Sequence, residues 1–310
     1  MPVERRAQRL LDMLAATGGA AAAEPSPSDR RAALRTLAQM ADDASEVVGA
    51  IEQVVMPGPG GQLTLRIYSP YGASSELLPG LVFFHGGGWV AGGLDTHDGL
   101  CRRLANAAGA RVGAVDYRLA PEHPFPAAFE DALAATHWVA EQAARLGIDP
   151  ARLIVGGDSA GGGIAAAVCQ ALRGAGPTIA LQMLICPILD IADESASRRD
   201  FADGFFLTRA AMAADLRDYL PTDADASDPR LSPLQAQDLT ALPPALIHTA
   251  EYDPFRDEGA AYAERLRSAG VAVEAHRHEG MIHYFYALAR AIPYARTAAE
   301  QIGAQVRAKL

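Results

Sequence analysis

Cysteine is nearly absent from this 310-residue chain. The three present, Cys101, Cys169 and Cys186, are scattered and form neither a C-x-x-C pair nor a Cys/His spacing of the zinc-binding kind. That argues against a disulfide scaffold or a structural zinc centre and leaves buried free thiols. Positive charge is also short: 27 Lys and Arg face 37 Asp and Glu, a formal net charge of −10, so nucleic acid and anionic membrane surfaces are poor partners. No apolar run approaches the ~20 residues that cross a bilayer. Arg5 and Arg6, followed by the Leu- and Ala-rich residues 10–23, have the outline of a secretory signal, yet Gln8, Arg9 and Asp12 interrupt it and favour an amphipathic helix. A cytoplasmic location is the expectation. Phosphate-binding fingerprints are missing too: no G-x-x-x-x-G-K occurs, and no G-x-G-x-x-G opens a helix with an acid further on.

What is present suits a globular protein with a large core, since half the residues are hydrophobic and 21% are charged. Two helical patterns open the chain, 3–16 and 28–42, with Leu10, Leu11 and Leu14 in the first and Leu34, Leu37 and Met40 in the second. Between them lies a linker-like stretch, 20–28, with Pro25 and Pro27. Ser28 with Arg31 lacks the acid that would complete a capping box, although Asp29 suits a first turn. From Ile51 the pattern changes to short β-branched and aromatic runs at 51–56, 63–69, 81–85 and 111–117. Helical stretches at 96–108, 126–146 and 161–173 then alternate with strand-like runs at 152–156, 179–186 and 245–250. A last strand, 271–276, precedes a final helix at 294–308. Such alternation predicts an α/β fold with a mostly parallel sheet covered on both faces, its first strands forming an antiparallel hairpin. The polar segment 192–233, with a helical pattern at 208–220, breaks the alternation and reads as an insertion.

Gly157, Asp158, Ser159, Ala160 and Gly161 spell G-x-S-x-G between the apolar run 152–156 and the small-residue run 162–168. This is a strand, a sharp turn and a helix with a serine at the tip, the setting in which a strained turn pushes a nucleophile outward. A serine hydroxyl is a weak nucleophile and needs an imidazole base oriented by an acid. On such a sheet the partners follow in the order serine, acid, histidine. Asp253 lies just past the strand 245–250, with Glu251 and Asp257 as competitors; Asp257 falls in a helix first turn, where an acid serves the dipole. His283 follows the last strand in a Gly-containing loop and takes the base position. His276, His278, His137 and His248 read as structural or exposed, and His97 and His123 precede the serine. The run His85-Gly-Gly-Gly88 after the strand 81–84 leaves bare amides that can meet an oxyanion, and the N–H of Ala160 at a helix N-terminus is a further donor.

With these residues in view, the chain resembles the hormone-sensitive-lipase-like carboxylesterases of the α/β-hydrolase superfamily from about Leu81 to the C-terminus. The likeness is carried by His85-Gly-Gly-Gly-Trp89, Asp116-Tyr-Arg-Leu-Ala-Pro-Glu-His-Pro-Phe-Pro-Ala127, Gly157-Asp-Ser-Ala-Gly161, Leu242-Pro-Pro244, Asp253-Pro-Phe-Arg-Asp-Glu258 and Gly280-Met-Ile-His283. The resemblance implies Ser159, Asp253 and His283 as a triad and Gly87, Gly88 and Ala160 as oxyanion donors, with Gly86 shaping the loop. It implies a helical cap made of residues 1–45 and 192–230 over a core of 46–191 and 231–310. It also implies hydrolysis of short- to medium-chain carboxylic esters, a small-molecule partner and no metal or organic cofactor. An amidase or aryl-formamidase would use the same triad, and a non-catalytic receptor on this fold would have lost the histidine that is present here. Asp158, Tyr117 and Arg118 are expected to hold loops together. Two departures stand out: Tyr284 occupies a place where relatives often carry Gly, which narrows the pocket, and Phe255 replaces a usual Leu. A homodimer through an edge strand such as 271–276 is left open by its charge pattern.

Overall fold

The computed structural model describes residues 2–17, 24–73 and 76–310; positions 20–23 of the expected linker lie outside them. Helices α1 (Arg5–Thr17) and α2 (Pro27–Ala41) come first. The cap of α2 is Ser26 and not Ser28: Ser26 Oγ accepts from Asp29 N at 3.2 Å, and an Asp29 carboxylate oxygen accepts from Ser26 N at 3.1 Å. The capping box is therefore complete but two residues earlier than expected, because Pro27 is the first helical residue, where its fixed φ is an asset, and not part of the linker. Met40, expected on the apolar stripe of α2, is exposed; Ala38 and Ala41 are buried instead.

Strands β1 (Ala50–Gly58) and β2 (Gly61–Ser69) form the antiparallel hairpin. There follow β3 (Leu78–Phe84), α3 (Asp98–Ala108), β4 (Arg111–Asp116), α4 (Ala127–Glu141), β5 (Ile148–Asp158), α5 (Ala160–Leu172) and β6 (Leu181–Ile185). The segment between β6 and β7 carries α6 (Ala196–Asp200) and α7 (Arg209–Tyr219). The chain then closes with β7 (Ala245–Tyr252), α8 (Arg256–Ser268), β8 (Val273–Ile282) and α9 (Tyr294–Lys309). All eight strands make one sheet in the order β1-β2-β4-β3-β5-β6-β7-β8. β2 runs antiparallel to β1 and β4, and every other neighbouring pair is parallel.

A strand's side chains alternate between faces, so a sheet covered on both sides needs apolar residues at consecutive positions. β3 shows this directly: Val82 and Phe84 join the core under α4, α5 and α8, while Leu81 and Phe83 join the core under α3 and α9. All four side chains are buried. The parallel strands thereby bring their C-terminal ends to one edge, where β3, β5, β7 and β8 deliver His85, Ser159, Asp253 and His283. α2 and α7 meet near this edge, where Arg30 pairs with Asp215 at 3.0 Å and with Asp218. The Tyr219 ring at the end of α7 stacks on Trp89, centroids 4.6 Å apart. Among the described residues, no helix is long and apolar enough to cross a membrane.

Candidate active site

Ser159 stands between β5 and α5 at φ 53° and ψ −122°. A side-chain-bearing residue pays about 1–3 kcal/mol to hold such a backbone, so its surroundings must impose it. They do: Ser159 N donates to Ile185 O at 2.9 Å, and its carbonyl accepts from Ile188 N at 3.0 Å and Gly163 N at 3.1 Å. The flanking glycines are required by close approach, since a methyl group on Gly157 would strike the Gly161 carbonyl and one on Gly161 the Phe84 carbonyl.

Ser159 Oγ lies 3.0 Å from His283 Nε2, and His283 Nδ1 lies 2.8 Å from Asp253 Oδ2. All three residues are buried. Asp253 Oδ1 accepts from Phe255 N at 2.8 Å, which fixes the carboxylate's orientation. The tautomer with Nδ1–H donated to Asp253 leaves the Nε2 lone pair facing the Ser159 hydroxyl. Cys186, at the end of β6, packs its sulfur into the same group of atoms. Burial, and then the Asp253 charge, push that thiol far up, so it stays protonated.

The structure brings Asp253 to His283 and gives its two competitors other work. Glu251 accepts from Gly280 N at 2.7 Å, and Asp257 accepts from Ser197 N at 2.9 Å and from Arg256. His283 also arrives differently than expected. β8 does not end at His276 but continues through Ile282, across a register shift against β7, so His283 sits at a strand end and not out in a loop. Gly280, at φ 75°, lies within the strand at that irregularity.

The glycine loop is anchored from below. Gly86 N donates to Asp158 Oδ1 at 2.9 Å, and Tyr117 OH donates to His85 O at 2.6 Å with the two rings stacked 4.2 Å apart. Asp158 further accepts from Tyr286 OH at 3.0 Å and meets His97 Nε2 at 3.2 Å. Burial opposes its ionisation, but His97, Tyr286 and His85 together bring Asp158 below the ordinary carboxylate range. Gly87 and Gly88 follow at φ 126° and 62°, conformations that suit glycine.

A family model described as the alpha/beta hydrolase fold matches residues 81–287. The chain belongs to that family, in its hormone-sensitive-lipase-like branch. It is 47% identical over 242 residues to the carboxylic ester hydrolase LipN of Mycobacterium tuberculosis, a match covering 76% of this chain and 64% of LipN, less than two thirds of that protein's length. It is 42% identical to an ethyl acetate hydrolase of Pseudomonas putida over 73% of this chain and 72% of that one. Among solved structures, an ester hydrolase from the metagenome of Lake Arreo superimposes with a TM-score of 0.95 at 44% identity, covering 99% of this chain and 98% of its own. The esterase of Pyrobaculum calidifontis gives 0.91 at 39% identity, with 99% of both chains covered.

Within this α/β-hydrolase the two departures noted in the sequence have structural explanations. Tyr284 sits at φ 66°, where glycine is at home, and is held there by its OH donating to Thr96 O at 3.1 Å and by stacking on Phe206. Phe255 packs edge-on to the His283 ring, centroids 5.2 Å apart, and carries the Arg198 guanidinium over its face at 4.6 Å. Sequence reasoning missed Arg198, whose Nε donates to the buried Glu258 at 2.6 Å. Glu258 also accepts from Leu189 N and Asp190 N, and burial lifts it to about 7 despite Arg198. Sequence reasoning also set His97 aside and missed Arg30, Tyr286 and Asp215. Burial lifts Asp215 to about 7, against the pull of Arg30 and with help from Asp218. Their partners lie 61 to 188 positions away in sequence for His97, Tyr286 and Arg30, and no local pattern marks such pairs.

Proposed function

We propose that this α/β-hydrolase is a carboxylesterase that cleaves short- to medium-chain carboxylic esters through an acyl-Ser159 intermediate. The observation that carries the reading is the continuous relay from Ser159 Oγ to His283 at 3.0 Å and on to Asp253 at 2.8 Å, behind a strained serine backbone. His283 takes the Ser159 proton as Oγ attacks the ester carbonyl, and returns it to the departing alcohol; a water then repeats the sequence on the acyl-enzyme. Asp253 holds the imidazole tautomer and steadies the imidazolium. Gly86 N is engaged by Asp158, which leaves the N–H groups of Gly87 and Gly88, with Ala160 at the start of α5, as donors to the oxyanion. Residues 1–45 and 192–230 act as a cap that supplies the substrate walls, over a core of 46–191 and 231–310. The relatives named for ester hydrolysis support the same chemistry.

Acyl length follows from space. A cavity of about 40 Å³ beside Ser159, walled by Trp89, Ile188, Ile191, Met212 and Phe255, has room for roughly three water-sized groups, which favours short acyl chains. The decisive experiment replaces Ser159 or His283 by Ala: kcat on p-nitrophenyl butyrate should fall by roughly 10⁶ with the circular dichroism spectrum unchanged. Turnover retained in either variant overturns the assignment.

A further inference from the structure

Two cavities meet at Ser159. The smaller, just described, does not include His283 in its wall. The larger, about 130 Å³, is lined by His283, Tyr284, Phe206, Leu34 and Arg30. Gly88, Leu207 and Asp215 belong to both. If the esterase reading above holds, on which this inference rests, His283 must hand its proton to the leaving oxygen, so the alcohol lies on the side His283 lines and the acyl chain on the other.

Over the alcohol side lies a roof in which Asp215 is shared with the acyl side and Arg30 is not. Asp215 on α7 presses one carboxylate oxygen against Gly88 of the glycine loop, close enough that a methyl group on Gly88 would collide with it. Its other oxygen pairs with Arg30 Nη1 at 3.0 Å without hydrogen-bond alignment, and Arg30 Nη2 donates to Asp218. Arg30 Nε and Nη1 are buried with no hydrogen-bond partner. Buried donors left in that condition are costly, and water or a ligand group satisfies them. The roof therefore presents acceptor and donors side by side.

Charge narrows what fits. A cation would meet the Arg30 guanidinium and an anion the Asp215 carboxylate. A neutral group that both donates and accepts answers each requirement, and a hydroxyl is the smallest such group. We propose that Asp215 and Arg30 are specificity-determining residues that select esters whose alcohol portion carries a second hydroxyl, the monoesters of short diols and polyols.

A matched pair of substrates tests this. 2-Hydroxyethyl butyrate and propyl butyrate differ by a hydroxyl in place of a methyl group, and their rates are referenced to their base-catalysed hydrolysis. Wild-type kcat/KM should favour the hydroxyl ester by roughly tenfold or more, as for a site that hydrogen-bonds a substrate OH. In Asp215→Leu and in Arg30→Met the ratio should collapse toward one, a change that a merely structural role for the pair would not produce. A wild-type ratio near one overturns the proposal whether or not the variants fold, and an unchanged ratio in folded Asp215→Leu overturns the assignment to that residue. Turnover of p-nitrophenyl butyrate alongside a ratio near one leaves the esterase reading intact and removes only this inference. No turnover of any of the three esters removes both.

Discussion

Gly87 and Gly88 are neighbours in the same loop, yet a side chain at each would meet very different obstacles. A methyl group on Gly87 would run into the Ala91 carbonyl, which accepts no displacement without unseating the loop; one on Gly88 would meet the end of the Asp215 side chain, which can turn away. Both also have positive φ: at Gly88, in the left-handed well, alanine adds ~1–2 kcal/mol of backbone strain, whereas Gly87 at φ 126° lies outside the regions open to residues with a side chain. Gly87→Ala should therefore lower kcat by about 10²–10³, the loss expected when an oxyanion donor is misplaced, and Gly88→Ala by a smaller factor. Steady-state kinetics on p-nitrophenyl butyrate check the order, and equal losses would refute the distinction. Residues of this sort are legible in sequence because their reason is local: a strand, a turn and a run of glycines mark the serine elbow and the glycine loop together. The buried network beneath is not. Asp158 looks like one more elbow residue until His97, Tyr286 and Gly86 are seen to converge on it from three separate elements.

At the level of elements, one side chain ties α2 to the loops beside the glycine run. Arg31 Nε donates to Val90 O at 2.7 Å, and Nη2 donates to Ala120 O at 2.7 Å, with Glu122 paired to the same guanidinium. The two carbonyls lie just after the glycine loop and before Pro121, so this residue ties the N-terminal segment to the loops beside the glycine run. Glu122 is more than half exposed, so its ion pair is screened and the two carbonyl bonds dominate. Arg31→Ala should loosen α2, raising amide exchange across Pro27–Ala41 and lowering kcat/KM up to about tenfold, at a cost to global stability of about 2 kcal/mol or less. Exchange unaltered in α2 would show that the helix is held by its other contacts, the Arg30 pairs and the bonds to Ala41 O among them. The sheet's interior strands were readable because consecutive apolar residues mark burial on both faces. β8 runs on past the expected 271–276 because Arg277 and Glu279, which look like loop residues, are part of it. Both are exposed on one face of an edge strand and pair with each other, while Glu274 on the opposite face meets Lys309 of α9. α6 escaped notice since five residues carry too little periodicity to read.

For the whole molecule, stability between pH 7.5 and 4.5 turns chiefly on two opposed sets of buried groups whose ionisation the fold shifts furthest. Three histidines are held neutral by the fold. Burial, then His97, lowers His85 to about 4; burial, then His276, lowers His278 to about 3; burial, His278 and His276 take His248 well below its ordinary value. Below about pH 6.5 the unfolded chain binds protons on these residues and the native chain does not, so each removes stability as pH falls, by about 1.4 kcal/mol per pH unit when fully developed. Glu258 and Asp215 act the other way. With both lifted to about 7, the native state takes up protons there before the unfolded chain does, so each adds stability as pH falls from 7 toward the ordinary carboxyl range. Three against two, with the histidines starting slightly lower, nearly cancels between pH 7.5 and 6 and leaves roughly one net proton near pH 5. Urea unfolding should therefore give a flat stability from pH 7.5 to 6 and a loss of about 2 kcal/mol by pH 4.5. Glu258→Gln removes one compensating carboxyl, so the decline should begin nearer pH 6.5 and steepen by about one proton near pH 6. A variant whose profile parallels the wild type would mean that Glu258 is ionised in the native protein throughout this range.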